Sequence, residues 1–249
     1  MYTSDKDKLF CSKLEDAVEL CFVRQKPYFF SFLSQRRQAL AEAYLRSVSF
    51  QNFEFFGGYP DSERKILGLF FDCVNLIDFP VSAIQFKFRP CDKLTHRDFL
   101  GAMMSLGVER DTIGDILVED GRAVVFVKSE LSDYFKTQLT KIGRVGVSVS
   151  DAILSDLPSG RGIERIFYTV SSLRLDNIVA AITGQSREKT KALILSGGVT
   201  HNFVTRLNIS EPLSVSDTVT IKGKGKFVLD ELCGNTKKGR IRISIIHYR

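Results

Sequence analysis

The chain has 249 residues, with 35 Lys and Arg against 29 Asp and Glu, which gives a net charge of +6 at pH 7. A content of 44% hydrophobic and 26% charged residues is typical of a globular protein and excludes a disordered, collagen-like or coiled-coil chain. No apolar stretch reaches the roughly 20 residues that cross a bilayer, and the N-terminus lacks the apolar core of a signal peptide. We therefore expect a cytoplasmic protein with no membrane partner.

The cysteines and histidines do not indicate a disulfide framework or a metal site. The five cysteines form no C-x-x-C pair, and their odd number favours a reducing compartment with buried free thiols. The three histidines are scattered along the chain. We expect no metal and no cofactor.

Basic charge is concentrated in the C-terminal part. Residues 171–249 hold 13 Lys and Arg and 6 Asp and Glu, whereas residues 1–170 hold 22 and 23. A localised basic field is typical of a protein that binds a polyanion, because neutralised phosphates release their counterions. Phenylalanine shows the opposite distribution, with 18 of the 20 in residues 1–170. Two differently built parts are expected.

The first 80 residues predict an N-terminal α/β region. Residues 5–24 predict a helix, the aromatic run YFFSFL a strand, and the segment after Ser34 a second helix with that serine as its N-cap. QNFEFF and KILGLFFD predict two further strands, and the nearly continuous apolar character of the second indicates cover on both faces. FGGYPDSER between them predicts a loop.

Residues 81–170 predict the order β-α-β-β-α-β. The segments in that order are SAIQFKFR, THRDFLGAMMSLG, DILV, AVVFV, SELSDYFKTQLTKIG and VGVSVS. This is the ferredoxin-like plan that RRM domains share, with helices on one face of an antiparallel sheet. The strands lack the aromatic consensus with which RRM domains read RNA, so the plan alone does not imply RNA binding. A connection that ends in the strand IERIFYTV follows and places a domain boundary near Ser171.

Beyond residue 171 the sequence predicts two short helices and then short strands. The first helix has an apolar face with Arg174 at its edge. The second begins after Ser186, a good N-cap, and places Arg187 and Lys191 one turn apart. Two or three cations are therefore expected on one surface.

These residues resemble the S-four RNA-binding domain, named after a protein of the small ribosomal subunit. The resemblance rests on RLD at 174–176, SR at 186–187, LI at 193–194, and on Gly197, Val199, Asn202 and Asp217. It implies an αL motif, formed by two helices and the following turn, that binds structured RNA by shape and phosphate contacts. The chain departs from the family at Phe203 and Ser216, where glycine is common.

The resemblance also implies which residues contact RNA. Arg174, Arg187 and Lys191 would face phosphate, with Asn202 in the turn beside them, while Asp176 is expected to be a structural acid that pairs with a nearby basic group. The GKGK segment at 223–226 predicts a basic loop that either contacts RNA or is a solvated hairpin. The candidate RNA-binding residues are Arg174, Ser186, Arg187, Lys189, Lys191, Asn202, Lys222 and Lys224.

A second resemblance covers essentially the whole chain. The string LTHRDFLGAMMSLGVERDTIGDILVED at 94–120, with FGGYPDSER at 56–64, resembles the YlmH family of bacterial RNA-binding proteins. It implies an α+β protein with an N-terminal α/β region at 1–80, a ferredoxin-like middle domain at 81–170 and an S-four domain at 171–249. It further implies binding to rRNA or tRNA, association with large ribosomal subunits in rescue and quality control of stalled translation, and a link to cell division.

The motif HRD at 96–98 is similar to the catalytic loop of protein kinases. Met103 stands where a kinase has asparagine, however, and the chain has no DFG motif and no glycine-rich phosphate loop. We expect Thr95 and Asp98 to form a capping box at a helix start. Whether HRDFLG at 96–101 also contacts a partner is left open.

Three hypotheses for the function follow from these patterns. The first is a non-enzymatic RNA-binding protein with no catalytic residues. The second is an RNA-modifying enzyme similar to pseudouridine synthases, which would use the S-four domain to deliver its substrate. The third is a protein-binding role for the Phe-rich residues 1–170.

Overall fold

The computed structural model describes residues 5–73, 75–158, 163–237 and 239–248. The chain divides into two compact units, residues 1–160 and residues 161–249. Helices and antiparallel strands are mixed in both units, which confirms the predicted α+β class. None of the described helices is both long and apolar enough to cross a membrane.

The described part of the first unit contains four α-helices and nine strands. The helices are α1 Asp5–Arg24, α2 Gln35–Ser47, α3 His96–Met104 and α4 Ser132–Gln138. The strands are β1 Tyr28–Leu33, β2 Phe53–Phe56, β3 Lys65–Leu69, β4 Val81–Lys87, β5 Ile113–Glu119, β6 Arg122–Lys128, β7 Lys141–Ile142, β8 Val145–Gly146 and β9 Ser148–Asp151.

The N-terminal sheet is antiparallel in the order β1-β3-β2 and is covered on both faces. Leu67 of β3 packs in a core with Leu14 of α1 and Leu45 of α2. Ile66, the residue before Leu67, packs in a different core together with Phe70. Since neighbouring residues of a strand point to opposite faces, the continuous apolar run of β3 follows from cover on both sides.

A second antiparallel sheet has the order β5-β6-β4-β9, and its elements follow in the predicted order β-α-β-β-α-β. On one face, Val125 of β6 packs with Phe99 of α3 and Phe135 of α4. On the other face, Phe126 of β6 packs with Phe32 of the N-terminal sheet. The two sheets thus share a Phe-rich core, and this explains why residues 1–80 and the middle segment form one unit.

The loop at 57–64 ties the two sheets together. The Asp115 carboxylate accepts hydrogen bonds from the Tyr59 hydroxyl at 2.9 Å and from the backbone N–H groups of Glu63 at 2.6 Å and Arg64 at 3.0 Å. Burial lowers the pKa of Arg64 to about 10, while burial and the charge of Asp115 raise the pKa of Tyr59. Arg64 is therefore charged and Tyr59 neutral at pH 7.

Two expectations for the first unit differ from the structure. The helix predicted to extend to residue 143 ends at Gln138, and a β7–β8 hairpin follows that turns at Gly143, whose φ of +58° suits glycine. None of the five cysteines, all of which lie in the described residues, forms a disulfide, but Cys11 and Cys21 alone are buried, because the others lie in loops or at the exposed end of a strand.

The second unit packs two helices on a six-stranded antiparallel sheet in the order β10-β15-β14-β13-β11-β12. Residues of both helices and of the sheet form its core, among them Leu175, Ile178, Ile194, Val219 and Ile243. The helices are α5 Leu175–Thr183 and α6 Arg187–Leu195, and the strands are β10 Ile163–Val170, β11 Val199–His201, β12 Val204–Thr205, β13 Thr218–Ile221, β14 Gly225–Asn235 and β15 Ile241–Tyr248.

Strand β10 corrects the boundary expected near Ser171. The sequence placed this strand in the connection, but its residues pair with β15 from Ile163 opposite Tyr248 to Val170 opposite Ile241. Since the pairing partner lies at the far end of the chain, no local pattern indicates it. The second unit begins before β10, at residue 161.

Candidate nucleic-acid interface

Helix α6 carries three exposed cations, of which Arg187 and Lys191 stand one turn apart on one face, as the sequence predicted. Ser186 is its N-cap, and the serine hydroxyl accepts a hydrogen bond from the backbone N–H of Lys189 at 3.5 Å. Arg187, Lys189 and Lys191 are exposed, and none of them has an ion-pair partner among the described residues. Cations near a helix N-terminus add to the positive end of the helix dipole, which is unfavourable for the helix and favourable for a bound anion.

Arg174, at the start of α5, is paired with a carboxylate, unlike the cations of α6. Its guanidinium donates two hydrogen bonds to the Asp176 carboxylate, at 3.1 Å from Nε and 2.8 Å from Nη2. This confirms the expectation that Asp176 is a structural acid. Because a carboxylate already neutralises Arg174, its attraction for phosphate is weaker than that of the α6 cations.

Asn202 occupies the turn between β11 and β12 and holds it in place. Asn202 and Phe203 both have positive φ, of +46° and +65°, as a type I′ hairpin turn requires. The Asn202 amide donates to Asp217 Oδ1 at 2.8 Å, and its oxygen accepts from the Thr218 N–H at 2.9 Å. The side chain thus positions the turn. Phe203 and Ser216, whose φ is +74°, keep the left-handed geometry that glycine would adopt without strain.

A buried charged network behind this turn was not predicted from the sequence. The His201 ring lies between two carboxylates, with Nδ1 at 3.0 Å from Glu211 Oε1 and Nε2 at 2.9 Å from Asp217 Oδ2. Arg206 Nε is 3.2 Å from the same Glu211 oxygen. These residues are separated by up to 16 positions, so no short motif reveals the network. Nowhere in the described chain do three or more His, Cys, Asp or Glu side chains come together to hold a metal ion.

Asp217 makes the stability of this region depend on pH. Burial alone would raise the pKa of Asp217, but hydrogen bonds from the Ser214 N–H, the Asn202 amide and the His201 ring lower it below its ordinary value. A carboxylate with a lowered pKa stabilises the folded state above its ordinary pKa of about 4, and this stabilisation is lost as the pH falls through the lowered value.

We therefore expect Asp217→Asn to reduce the free energy of unfolding of the second unit by about 1–3 kcal/mol at pH 7. The acid-induced loss of stability should also be shallower in the variant than in the parent. Hydrogen exchange of residues 199–219, followed from pH 7 to pH 3, measures both effects. Glu231→Gln is the matched control, because Glu231 is exposed and has no ion-pair partner among the described residues. Identical acid profiles for Asp217→Asn and the parent would contradict the prediction.

Lys222 and Lys224 lie in the exposed turn between β13 and β14. The Lys222 N–H donates to the carbonyl of Gly198 at 2.9 Å, so this turn adjoins the segment that follows α6. A third lysine of the hairpin, Lys226, ends the GKGK segment that the sequence predicted as a basic loop. Its Nζ lies 4.7 Å from the ring centroid of Tyr248 and 5.9 Å from that of Phe203.

The HRDFLG segment starts α3 and borders a groove in the first unit. The predicted capping box of Thr95 and Asp98 is confirmed, and hydrogen bonds from Thr95 lower the pKa of Asp98. Arg97, Gly101 and Lys141 line an open groove of about 550 Å³. Contact of this segment with a partner stays a prediction.

The comparisons with known proteins relate this chain to RNA-binding and ribosome-associated proteins. Residues 77–156 match a family model described as a putative RNA-binding domain in YlmH. The chain is 31% identical over 238 residues to the ribosome-associated protein quality control protein P2 of Bacillus subtilis (strain 168), covering 93% of this chain and 92% of that protein. The chain belongs to the YlmH family. A solved YlmH structure, the cell division protein ylmH from Streptococcus pneumoniae, is 21% identical with a TM-score of 0.53; it covers 62% of this chain and 96% of its own length, and it shows likeness of fold.

The YlmH family model covers the whole of the β5-β6-β4-β9 sheet. RRM domains read RNA on an open sheet face. In this YlmH protein one face of the sheet is covered by α3 and α4, and the other by the N-terminal sheet. The surfaces of this segment that face solvent are those of its helices, its loops and the edge strand β9.

Proposed function

We propose that this YlmH-family protein binds structured RNA, ribosomal or transfer RNA, through a C-terminal domain of the S-four type. The observation that carries the proposal is the triplet of exposed cations at the N-terminal end of α6, Arg187, Lys189 and Lys191, none of which is paired with a described carboxylate. Such cations lower the stability of the helix and are favourable when phosphate approaches.

The geometry supports a division of roles among the candidate residues. The α6 cations bind phosphate, and the free backbone N–H groups of the first helical turn donate in the same direction. Lys222 and Lys224 contribute a second basic segment next to the end of α6. Arg174 contributes less because it is paired with Asp176, and Asn202 acts by holding its turn.

We further propose that the protein acts on large ribosomal subunits during rescue and quality control of stalled translation. The relative in B. subtilis carries ribosome association and quality control in its name, and the relative in S. pneumoniae is named for cell division. The first unit, with its ferredoxin-like middle domain, would contact RNA with helices or loops, or bind a protein, since both faces of its middle sheet are covered. The role proposed is binding without chemical change of the RNA.

Sedimentation of the full-length protein with purified large ribosomal subunits tests this function. We expect the protein to sediment with large subunits and to be released as the salt concentration rises. Crosslinking in cells followed by sequencing should recover rRNA or tRNA, and the mass of tRNA incubated with the protein should not change. Recovery of mRNA or DNA in place of rRNA and tRNA would refute the proposal, and a changed tRNA mass would favour an RNA-modifying enzyme.

A further inference from the structure

Phe203 keeps a bulky side chain at a strained backbone position. Its φ of +65° lies in the left-handed region, which is unfavourable for residues with a Cβ atom other than Asn and Asp. Burial does not explain the phenyl ring, because Phe203 is not among the residues of the hydrophobic core of the second unit or those packed against it. Because the ring packs in no apolar core, its role points to a contact outside the fold.

The ring lies beside a polar row on the outer face of the sheet. Strand pairing aligns Tyr248, Lys226, Thr220, Thr200 and Thr205 across neighbouring strands. The residues adjacent to this row, such as Val199 and Val219, are buried in the core, so the row faces away from the two helices. The row therefore places one ammonium group, three threonine hydroxyls and one phenol hydroxyl on this face of the sheet.

Aromatic rings on both sides of the Lys226 ammonium complete the arrangement. The centroid of Tyr248 is 4.7 Å and that of Phe203 is 5.9 Å from Nζ, within the range of a cation–π contact. Both rings are partly exposed. The same hairpin carries Lys222 and Lys224, so the rings continue a basic surface.

We propose that Phe203, Lys226 and Tyr248 form a platform for one unpaired nucleotide of the bound RNA. The base stacks on the Phe203 ring, while Lys226 and the neighbouring threonine hydroxyls contact its phosphate. This inference rests on the proposed function, RNA binding by the second unit. It adds a site on the opposite side of the sheet from α6, and it assigns a recognition mode that needs a single-stranded nucleotide.

Phe203→Gly separates the binding role of the ring from the fold. Glycine adopts the left-handed conformation without strain, so this variant removes the ring and preserves the turn. Ser216→Gly is the matched control, because it relieves the same kind of strain at φ +74° in the same unit and removes no ring. Phe203→Tyr keeps an aromatic ring at the position.

The probe is an RNA hairpin with the fluorescent base 2-aminopurine in its loop, compared with the same hairpin carrying the analogue in its stem. With the full-length protein, we expect stacking to quench the loop analogue and not the stem analogue. Phe203→Gly should abolish this quenching and weaken binding by about 5- to 150-fold, the range for loss of one base–aromatic stack. Ser216→Gly and Phe203→Tyr should behave like the parent.

The outcomes distinguish this site from the wider function. Parent-like affinity and quenching for Phe203→Gly would overturn the platform. If in addition Arg187, Lys189 and Lys191 could be replaced by alanine without effect on hairpin affinity, RNA binding by the second unit would fail as well. Unchanged hairpin binding by Phe203→Gly, together with loss of its association with large subunits, would assign the ring to a protein contact and overturn the RNA platform.

Discussion

Replacing Arg187, Lys189 and Lys191 together by alanine is expected to weaken RNA binding on the order of 100-fold near 0.1 M salt. The slope of log affinity against log salt concentration should become shallower by roughly two to three units, because about 0.7–0.9 of a counterion is released for each phosphate contact. The three side chains are exposed and are not paired with described carboxylates, so their removal leaves the packing of α6 unchanged. Thr190 and Ile194, which face the interior, are retained.

Binding of tRNA at several KCl concentrations measures both the affinity and the slope. The matched control replaces Lys13, Arg24 and Lys26 by alanine, which removes the same charge from exposed positions of the first unit. This control should change the slope little if phosphate contacts are made by α6. Equal slopes for the α6 variant and the parent would refute the assignment. Arg174→Ala should reduce affinity less than Arg187→Ala, because Asp176 already pairs with Arg174.

Gly58→Ala is expected to lower the free energy of unfolding of the first unit by about 3 kcal/mol or more. Two effects add at this position. Gly58 has φ of +100°, which is strained for alanine, and a Cβ atom would lie 2.3 Å from Cδ1 of Phe126. The Phe126 ring is fully buried and is stacked against Tyr59 at 4.8 Å, so it has no space to move.

Gly107→Ala isolates the backbone contribution. Gly107 also has positive φ, of +79°, but a Cβ atom there would meet nothing within 4 Å. We expect this variant to cost about 1 kcal/mol, from backbone strain alone. Urea denaturation followed by circular dichroism compares the two variants. Similar losses for both would show that the loop at 57–64 is not packed against β6 as described.

Local patterns predicted most of the elements because the forces that set them act over a few residues. The capping box of Thr95 and Asp98, the N-cap Ser186, and the helix over residues 5–24 all follow from side chains within one or two turns. The apolar run of β3 correctly indicated cover on both faces. The end of α4 was misplaced because a β7–β8 hairpin replaces the last part of the predicted helix. Strands of two residues are too short to give an alternating pattern in the sequence.

The candidate site was predicted in part for the same reason. Arg187 and Lys191 lie one turn apart on one short helix, so their spacing alone brings them together. Arg174 and Asp176 are two residues apart, so their pairing also follows from the local sequence. This pairing weakens the attraction of Arg174 for phosphate. The two rings beside Lys226 were not predicted, because Phe203 lies in the β11–β12 turn and Tyr248 on β15, both distant from Lys226 in the sequence.

The sequence by itself determined the α+β class, the helix boundaries in the C-terminal part, and the location of the basic charge, since composition and short-range periodicity carry that information. The tertiary structure alone decided three other features. It assigned β10 to the C-terminal sheet, it covered both faces of the middle sheet, and it joined His201 to Glu211 and Asp217. Each depends on contacts between residues far apart in the chain, where the free energy gained on burial or pairing is set by the partner and not by the neighbouring sequence.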